Sequence, residues 1–273
     1  FATASVIMMA GAKPVFVDVE KNGFCLDPKK AESAVTSKTK AIQPVHLYGE
    51  LADMPSFLDI CKKHNLVLIE DSAQAHSADS WNGKAGSFGD VGWFSFYPTK
   101  NMTTSEGGII TTNNEKIANL CKVLRAHGMT AQYQHTEFGY NYRMTDISAA
   151  IGRVQLGKLS NFNARRREIA NIYNDKLSNY VDVPENRRGH VFHQYTILCN
   201  QRNELRDYLN EKGVGSGIYY PTLLYDYEPM AEFVSSCPNA KRLTEMALSL
   251  PVHPALSDSD VSRVIESVIS FFD

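Results

Sequence analysis

The chain has 273 residues, of which 43% are hydrophobic and 21% charged, and its formal net charge is −2. This is the composition of an ordinary globular protein, and without a basic patch it gives no support for a nucleic-acid partner. No apolar run is long enough to span a bilayer, so no membrane segment is expected. The five cysteines are scattered and form no C-x-x-C pair, which argues against a disulfide framework or a thiolate zinc site and favours the reducing cytoplasm.

The length predicts a large domain with a smaller one attached. Over the first part of the chain, short apolar runs alternate with amphipathic stretches, which is typical of an α/β fold with a mainly parallel sheet flanked by helices. We predict this large domain over residues 1–165 and a compact α+β domain over residues 166–273.

The elements predicted first along the chain are strands that alternate with helices. Continuous apolar sequence marks the strands, and an inward apolar stripe marks the helices. The predicted elements are a strand at Lys13–Val19, a helix at Pro28–Val35, a strand at Ala41–Val45, a helix at Asp53–Lys63 and a buried strand at Leu66–Ile69. The last strand runs into Glu70 and Asp71, which places an acidic pair at the sheet edge where α/β proteins bind their ligands.

Two further strands flank a loop that carries a lysine. The strands are predicted at Gly92–Phe96 and Gly108–Thr111, and Lys100 lies in the loop between them. The remaining predictions are a helix at Glu115–His127, an irregular aromatic segment at Thr130–Tyr142, a long helix from Asp146 to Phe162, a strand at Phe192–Leu198, a helix at Asn203–Lys212 and helices near Ala240 and Asp258.

Asp71 and Lys100 form the main candidate constellation for chemistry. Taken alone, a loop lysine is usually a solvated charge, and an acid after a strand is usually a helix cap or half of an ion pair. Their neighbours favour a shared site, because Gln74 follows Asp71 closely and Ser95 precedes Lys100 by five residues.

Seven motifs then occur in a fixed order along the chain. They are GAKPVFVDV, PVHLYG, IEDSAQAH, FSFYPTKN, EGG, GYNYRM and LSLPVHP. In these motifs the chain resembles the DegT/StrS-type (DegT/DnrJ/EryC/StrS) sugar aminotransferases, which use pyridoxal 5'-phosphate (PLP) and have the PLP-transferase fold type I. The resemblance extends from residue 1 to about residue 270.

The resemblance implies a catalytic role for two residues. Lys100 would hold PLP as a Schiff base, which requires an unprotonated amine, and would later move a proton as base and then acid. Asp71 would pair with the pyridine nitrogen of the cofactor and keep it protonated. Gln74 would lie near the ring hydroxyl, although a lone glutamine more often bonds at the start of a helix.

The resemblance also implies a phosphate site shared between two subunits. Ser95 would bind the cofactor phosphate, and Asn141 would reach the phosphate of the neighbouring subunit, which implies a homodimer with shared active sites. The alternative for Asn141 is a turn beside Gly139. The family's G-T-x-A-type phosphate loop is absent, and its stacking aromatic would fall at or just before Phe1. The chain is therefore expected to be processed or N-terminally shortened.

Substrate contacts are a weaker expectation. Arg143 could meet a carboxylate or diphosphate or could pair with Asp146, and His193, Tyr219 and Tyr220 could line a sugar pocket. The eight histidines are not accompanied by a carboxylate cluster, so no metal site is expected.

The resemblance implies transfer of an amino group from glutamate to a 3- or 4-keto sugar carried on a nucleotide diphosphate, for polysaccharide or glycan biosynthesis. One alternative is a PLP-dependent sugar dehydratase, in which a histidine replaces the Schiff-base lysine. A second alternative is a truncated, non-catalytic or regulatory member of the family.

Overall fold

A four-stranded sheet forms the centre of the N-terminal part. The computed structural model describes residues 1–80 and 82–273. The sheet contains β1 (Ala41–Ile42), β2 (Val67–Asp71), β5 (Val91–Ser95) and β6 (Gly108–Thr111), in that spatial order. The β1–β2 and β2–β5 pairs are parallel, and only β6 runs antiparallel. The predicted mainly parallel α/β sheet is therefore confirmed.

Short hairpins accompany this sheet. Strands β3 (Asp79–Ser80) and β4 (Gly83–Lys84) form one antiparallel pair, and β7 (Met129–Ala131) and β8 (Gln134–His135) form another. The second hairpin interrupts the segment that was predicted to be irregular.

The strand predicted at Lys13–Val19 is wrong. The segment lies outside the sheet. Among the residues that the structure describes, it pairs only through an isolated antiparallel bridge between Val19 and Leu26. Pro14 has no N–H to donate to a strand ladder. Asp18 anchors the segment instead, because its carboxylate accepts hydrogen bonds from the Lys30 ammonium at 2.7 Å and from the Ala240 backbone N–H at 2.8 Å.

Helices cover the sheet and build the C-terminal part. They are α1 (Ala2–Met9), α2 (Pro28–Ser33), α3 (Met54–His64), α4 (Glu115–Leu124), α5 (Asp146–Leu177), α6 (Arg202–Glu211), α7 (Pro238–Met246) and α8 (Asp258–Phe272). Side chains that accept backbone N–H groups fix where many of them begin, as Asp27, Asp53, Asn114, Thr145 and Ser257 do.

The long helix α5 joins the two parts of the chain. It is longer than its predicted extent and contains the predicted boundary between residues 165 and 166. Its C-terminal half packs with α6, α8 and the antiparallel pair β9 (Tyr195–Leu198) and β10 (Ala247–Leu250) around one apolar core. The division into domains at 165/166 stays a prediction.

Buried Glu70 organises the sheet beneath the edge that carries Asp71. Its carboxylate accepts hydrogen bonds from the backbone N–H groups of Phe88 and Gly89, both at 2.7 Å, and of Gly86 at 2.9 Å. The ring Nε2 of His46 lies 3.0 Å from Oε2, the same oxygen that accepts the Gly86 N–H. Burial raises the pKa of Glu70, but the hydrogen bonds from His46 and the two glycines outweigh burial and hold the pKa below its ordinary value.

Replacing Glu70 with glutamine should lower the free energy of unfolding by about 1–3 kcal/mol, because an amide cannot accept all of these bonds. Since the folded pKa of Glu70 is depressed, its contribution is present above the ordinary value of 4.5 and is lost at lower pH. The difference in the free energy of unfolding between the wild type and Glu70→Gln, measured with denaturant, should therefore shrink as the pH falls below that value. Exposed Glu266, on α8, is the control. Equal effects of Glu70→Gln and Glu266→Gln would contradict this account.

Candidate active site

Asp71 is the buried acid at the carboxyl end of β2. It is 4% exposed, and its Oδ1 accepts the Ala73 N–H at 3.1 Å. Its Oδ2 accepts the hydroxyl of Thr3 at 2.7 Å, so the first turn of α1 lies at this edge of the sheet. Thr3 was missed in the sequence because a threonine so near the start of a helix resembles an ordinary capping residue.

Lys100 lies in the loop that follows β5, the strand adjacent to β2. Its side chain is partly buried. Burial lowers the pKa of Lys100, and the negative charge of Asp71 opposes this shift without cancelling it. The structure therefore brings the predicted amine and the predicted acid into electrostatic contact.

Ser95 lies on the same strand and loop as Lys100. It is the last residue of β5, and its hydroxyl accepts the Tyr97 N–H at 3.3 Å. A hydroxyl can also donate, so its proton stays available for an anion.

Gln74 connects the acidic edge to a pair of tyrosines from the C-terminal part. Its Oε1 accepts the Tyr48 N–H at 2.8 Å, and its Nε2 donates to the Tyr220 hydroxyl at 3.3 Å. The Tyr48 hydroxyl donates to the Tyr219 carbonyl. Burial raises the pKa of Tyr220, and the charge of Asp71 adds to the shift. The structure thus brings Tyr219 and Tyr220 to the edge that carries Asp71.

His193 also interacts electrostatically with Lys100. It is 8% exposed, and burial followed by the positive charges of Lys100 and Arg166 holds its pKa well below the ordinary value of 6.5. His76 is similar: burial and Lys100 lower its pKa to about 4, and its ring lies against Phe94 at 5.2 Å between centroids. Both rings are neutral at physiological pH.

Three buried polar residues around these rings were missed in the sequence. Asn101 contacts His193, Asn163 donates to the His76 carbonyl at 2.9 Å, and Arg166 donates to the Phe192 and His193 carbonyls. Asn163 and Arg166 lie within α5, where a polar residue is normally solvated. The position of Asn101 directly after Lys100 was the one available signal.

Asn141 and Arg143 lie apart from this group. Both are exposed, and the structure assigns neither a side-chain hydrogen bond nor an ion pair with the Lys100–Asp71 group in the ranges it describes. Nearby, Tyr140 and Tyr142 stack with ring centroids 4.8 Å apart. Within one chain these two predicted residues are not part of the site.

Phe1 lies beside the first turn of α1, where its ring meets Tyr227 edge-on at 5.7 Å between ring centroids.

In residues 1–80 and 82–273, no group of three or more histidine, cysteine, aspartate or glutamate side chains is arranged to hold a metal ion. Over the same ranges no helix is both long and apolar enough to cross a membrane.

The chain is similar to several known proteins along nearly its whole length. A "Pleiotropic regulatory protein" of Geobacillus stearothermophilus is 42% identical, with 100% of this chain and 76% of the relative covered. A UDP-N-acetyl-3-dehydro-alpha-D-glucosamine 3-aminotransferase of Acidithiobacillus ferrooxidans is 39% identical over 96% of this chain and 73% of the relative. A GDP-perosamine synthase of Escherichia coli O157:H7 is 36% identical over 99% and 76%.

Solved structures agree. A DegT DnrJ EryC1 StrS aminotransferase from Brucella abortus superposes with a TM-score of 0.96 at 32% identity, covering 99% of this chain and 77% of that one. NtdA from Bacillus subtilis with bound cofactor PMP has a TM-score of 0.92 at 30% identity, covering 98% and 65%. An E. coli GDP-4-keto-6-deoxy-D-mannose-3-dehydratase with bound hydrated PLP gives 0.88 at 25%, covering 96% and 75%.

The fold and the arrangement of lysine and acid define a transferase of PLP fold type I, as expected. The model of the DegT/DnrJ/EryC1/StrS aminotransferase family matches residues 1–269, and the chain belongs to this family. It is an aminotransferase.

Replacing Asp71 with asparagine should lower the pKa of Lys100 further, because the negative charge that opposes burial is gone. Labelling of Lys100 by an amine-reactive reagent at pH 7, followed by mass mapping, should then become faster by roughly tenfold. Asp59→Asn, on the exposed side of α3, is the matched control and should leave the rate unchanged. Slower or equal labelling of the Asp71 variant would show that the two charges do not interact.

Proposed function

We propose that the chain uses PLP to transfer an amino group to a keto sugar carried on a nucleotide diphosphate. The observation that supports this most directly is the partly buried Lys100 amine, whose pKa burial lowers while the charge of buried Asp71 opposes the shift. The relatives named above for UDP- and GDP-linked sugars support the class of substrate.

The residues at the sheet edge fit PLP. A partly buried amine with a depressed pKa is the nucleophile that an aldehyde requires, and a carboxylate is the partner that a protonated pyridine nitrogen requires. Lys100 would hold the aldehyde carbon, Asp71 the ring nitrogen and Ser95 the phosphate. When bound, PLP supplies an electron sink for the carbon that loses its proton.

Lys100 has two tasks in this proposal. It would hold the cofactor, and its amine, when not attached, would accept and return the proton that the donor carbon exchanges. Partial burial serves both tasks, because it keeps the amine unprotonated nearer to neutral pH.

Asp71 needs a fixed orientation to hold the ring nitrogen. Thr3 and the Ala73 N–H each occupy one lone pair of a different carboxylate oxygen. Because a carboxylate has about four acceptor sites, the remaining ones can meet a pyridinium N–H. Gln74 would lie beside the ring hydroxyl, with one of its two N–H groups already donated to Tyr220.

The sugar would lie against Tyr219, Tyr220 and His193. Tyr220 accepts a hydrogen bond from Gln74, the Tyr219 carbonyl accepts one from Tyr48, and the charge of Lys100 acts on His193, which supports this proposal. We further propose glutamate as the amino donor, a keto group at sugar position 3 or 4, a role in polysaccharide or glycan biosynthesis and a cytoplasmic location. All five cysteine thiols are free, which supports a reducing compartment.

Two alternatives are weaker. A PLP-dependent dehydratase would carry histidine in place of Lys100, and this chain carries lysine. A non-catalytic regulatory role is suggested by the name of the Geobacillus relative. However, a protein without chemistry has no need to bury an amine beside a carboxylate, since burial of charged groups costs free energy.

Replacing Lys100 with alanine should reduce amino transfer by more than about 10²-fold, because both the attachment point and the proton carrier are lost. The fold should persist, as judged by circular dichroism. The assay follows conversion of glutamate to 2-oxoglutarate with a set of keto sugar nucleotides. Lys84→Ala, on exposed β4, serves as the control and should retain full activity. Full turnover by the Lys100 variant would refute the assignment.

We propose that Asn141 acts across a homodimer, binding the cofactor phosphate of the neighbouring subunit. Its exposure on one chain, beside the exposed Tyr140 and Tyr142 rings, supports a surface that meets a second copy. Arg143 would belong to the same surface, where it could meet a substrate carboxylate or diphosphate.

A hybrid experiment tests this sharing of sites. Lys100→Ala and Asn141→Ala chains, each impaired alone, should regain activity when co-expressed, because each mixed dimer has one site free of both changes. With random pairing the activity should reach about a quarter of the wild-type value. Sedimentation should first establish that the chains are dimeric. Activity no greater than the sum of the two separate variants would place Asn141 outside the neighbouring site.

A further inference from the structure

Tyr48 is a buried tyrosine with a backbone conformation that few residues with a side chain adopt. It lies in the turn Leu47–Gly49, has a φ of 59° and is 4% exposed. Glycine, asparagine and aspartate take this left-handed conformation more readily than tyrosine does. Residues in such conformations cluster at functional sites, so the contacts of Tyr48 point to what the conformation provides.

The backbone N–H of Tyr48 fixes the orientation of the Gln74 amide. It donates to Oε1 of Gln74 at 2.8 Å. Since an N–H group can only donate, the atom that faces it is the amide oxygen, and the NH₂ group points the other way. There Nε2 donates to the Tyr220 hydroxyl at 3.3 Å. That hydroxyl is therefore an acceptor towards Gln74, and its own proton is left for another partner.

The phenol of Tyr48 holds the backbone next to Tyr220. Its hydroxyl donates to the Tyr219 carbonyl, which belongs to the peptide group that joins Tyr219 to Tyr220. The Tyr48 ring packs edge-on against Phe24, with ring centroids 4.9 Å apart, and this contact fixes the direction of the phenol. Tyr48 thus contacts both the amide that meets the Tyr220 hydroxyl and the peptide group that leads into Tyr220.

Two backbone hydrogen bonds anchor the turn that contains Tyr48. The Gln194 N–H donates to the Tyr48 carbonyl at 3.3 Å, and the Val191 N–H donates to the Gly49 carbonyl at 3.0 Å. A Cβ atom on Gly49 would lie 2.8 Å from Cγ2 of Val191, so this close approach of the two segments requires glycine. The support that Tyr48 gives to Gln74 and Tyr219 is therefore itself held in place.

The hydroxyl proton of Tyr220 is open to a ligand. Among the residues that the structure describes, it has no acceptor, and Tyr220 is half exposed. Gln74, its partner, comes three residues after Asp71, in a turn where the Ala73 N–H donates to the Asp71 carboxylate at 3.1 Å. The free proton thus lies beside the turn that carries the acid of the site.

We propose that Tyr48 is a positioning residue for the sugar site: it holds Gln74 and the Tyr219–Tyr220 segment together, so that the Tyr220 hydroxyl donates its proton to an oxygen of the bound sugar. This inference rests on the proposed function, in which the sugar lies against Tyr219 and Tyr220. A donor that is fixed in this way favours a sugar with an oxygen at the matching position over one without it.

Tyr48→Phe removes the phenol hydroxyl and keeps the ring and the backbone N–H, so it releases the Tyr219–Tyr220 segment and leaves the bond to Gln74 in place. The KM for the keto sugar nucleotide should rise roughly five- to tenfold. The kcat should change less than about twofold, because the lost contact binds substrate and transition state alike. Tyr220→Phe should raise the KM at least as much, and the double variant should be no worse than Tyr220→Phe, since both changes remove one contact.

Tyr173→Phe is the matched control. Its buried phenol also donates to a backbone carbonyl, that of Pro251 at 2.9 Å, but in the apolar core of the C-terminal part. This variant should lower the free energy of unfolding as Tyr48→Phe does and should leave the KM unchanged. The comparison separates a role in the sugar site from a purely structural hydrogen bond.

NMR of the cofactor-free chain tests the hold on Tyr220 without any sugar. With ¹³C at the tyrosine Cζ atoms, the Tyr220 signal, assigned by its loss in Tyr220→Phe, should shift or broaden in Tyr48→Phe and stay unchanged in Tyr173→Phe. An unchanged Tyr220 signal in Tyr48→Phe would overturn the proposal. So would an unchanged KM in either single variant at the site, or a KM in the double variant above that of Tyr220→Phe. If the NMR result holds but no keto sugar is aminated, the proposed function fails together with the sugar contact, while the hold of Tyr48 on the Tyr219–Tyr220 segment stands.

Discussion

The electrostatic balance at Lys100 governs the rest of this structure. Removing an amine from water favours its neutral form, whereas a carboxylate nearby favours the charged form. In this chain burial exceeds the effect of Asp71, so the pKa of Lys100 is lowered but the amine is not isolated from charge. A lysine in this condition can form and release a covalent bond to an aldehyde and can also carry a proton, which are the two properties that aminotransfer requires.

The surrounding elements maintain that balance. The parallel β2–β5 pair places Asp71 at one strand end and the Lys100 loop after the next. Glu70, next to Asp71 on β2, accepts hydrogen bonds from three backbone N–H groups of the segment before β5. Thr3, on α1, donates a hydrogen bond to the carboxylate of Asp71. Asn101 ties the lysine loop to α5, so that two distant parts of the chain converge on one amine.

The sequence was informative where a residue's chemistry follows from its place on a strand or in a motif. The apolar run before Glu70 and Asp71 predicted β2, and the seven ordered motifs indicated both the family and the Lys100–Asp71 pair. It misled at Lys13–Val19, where a short apolar run looked like a strand but a buried side-chain anchor, Asp18, determines the structure. It was silent on Asn163 and Arg166, because burial of polar residues in a helix depends on what packs against that helix.

The most direct test of this account is where PLP attaches to the protein. The purified chain would be incubated with PLP, reduced with borohydride, digested and mapped by mass spectrometry, with a visible absorption spectrum recorded before and after reduction. The account predicts an absorption band that borohydride removes and a phosphopyridoxyl adduct on Lys100. No band, or an adduct on other lysines while Lys100 stays unmodified, would contradict it.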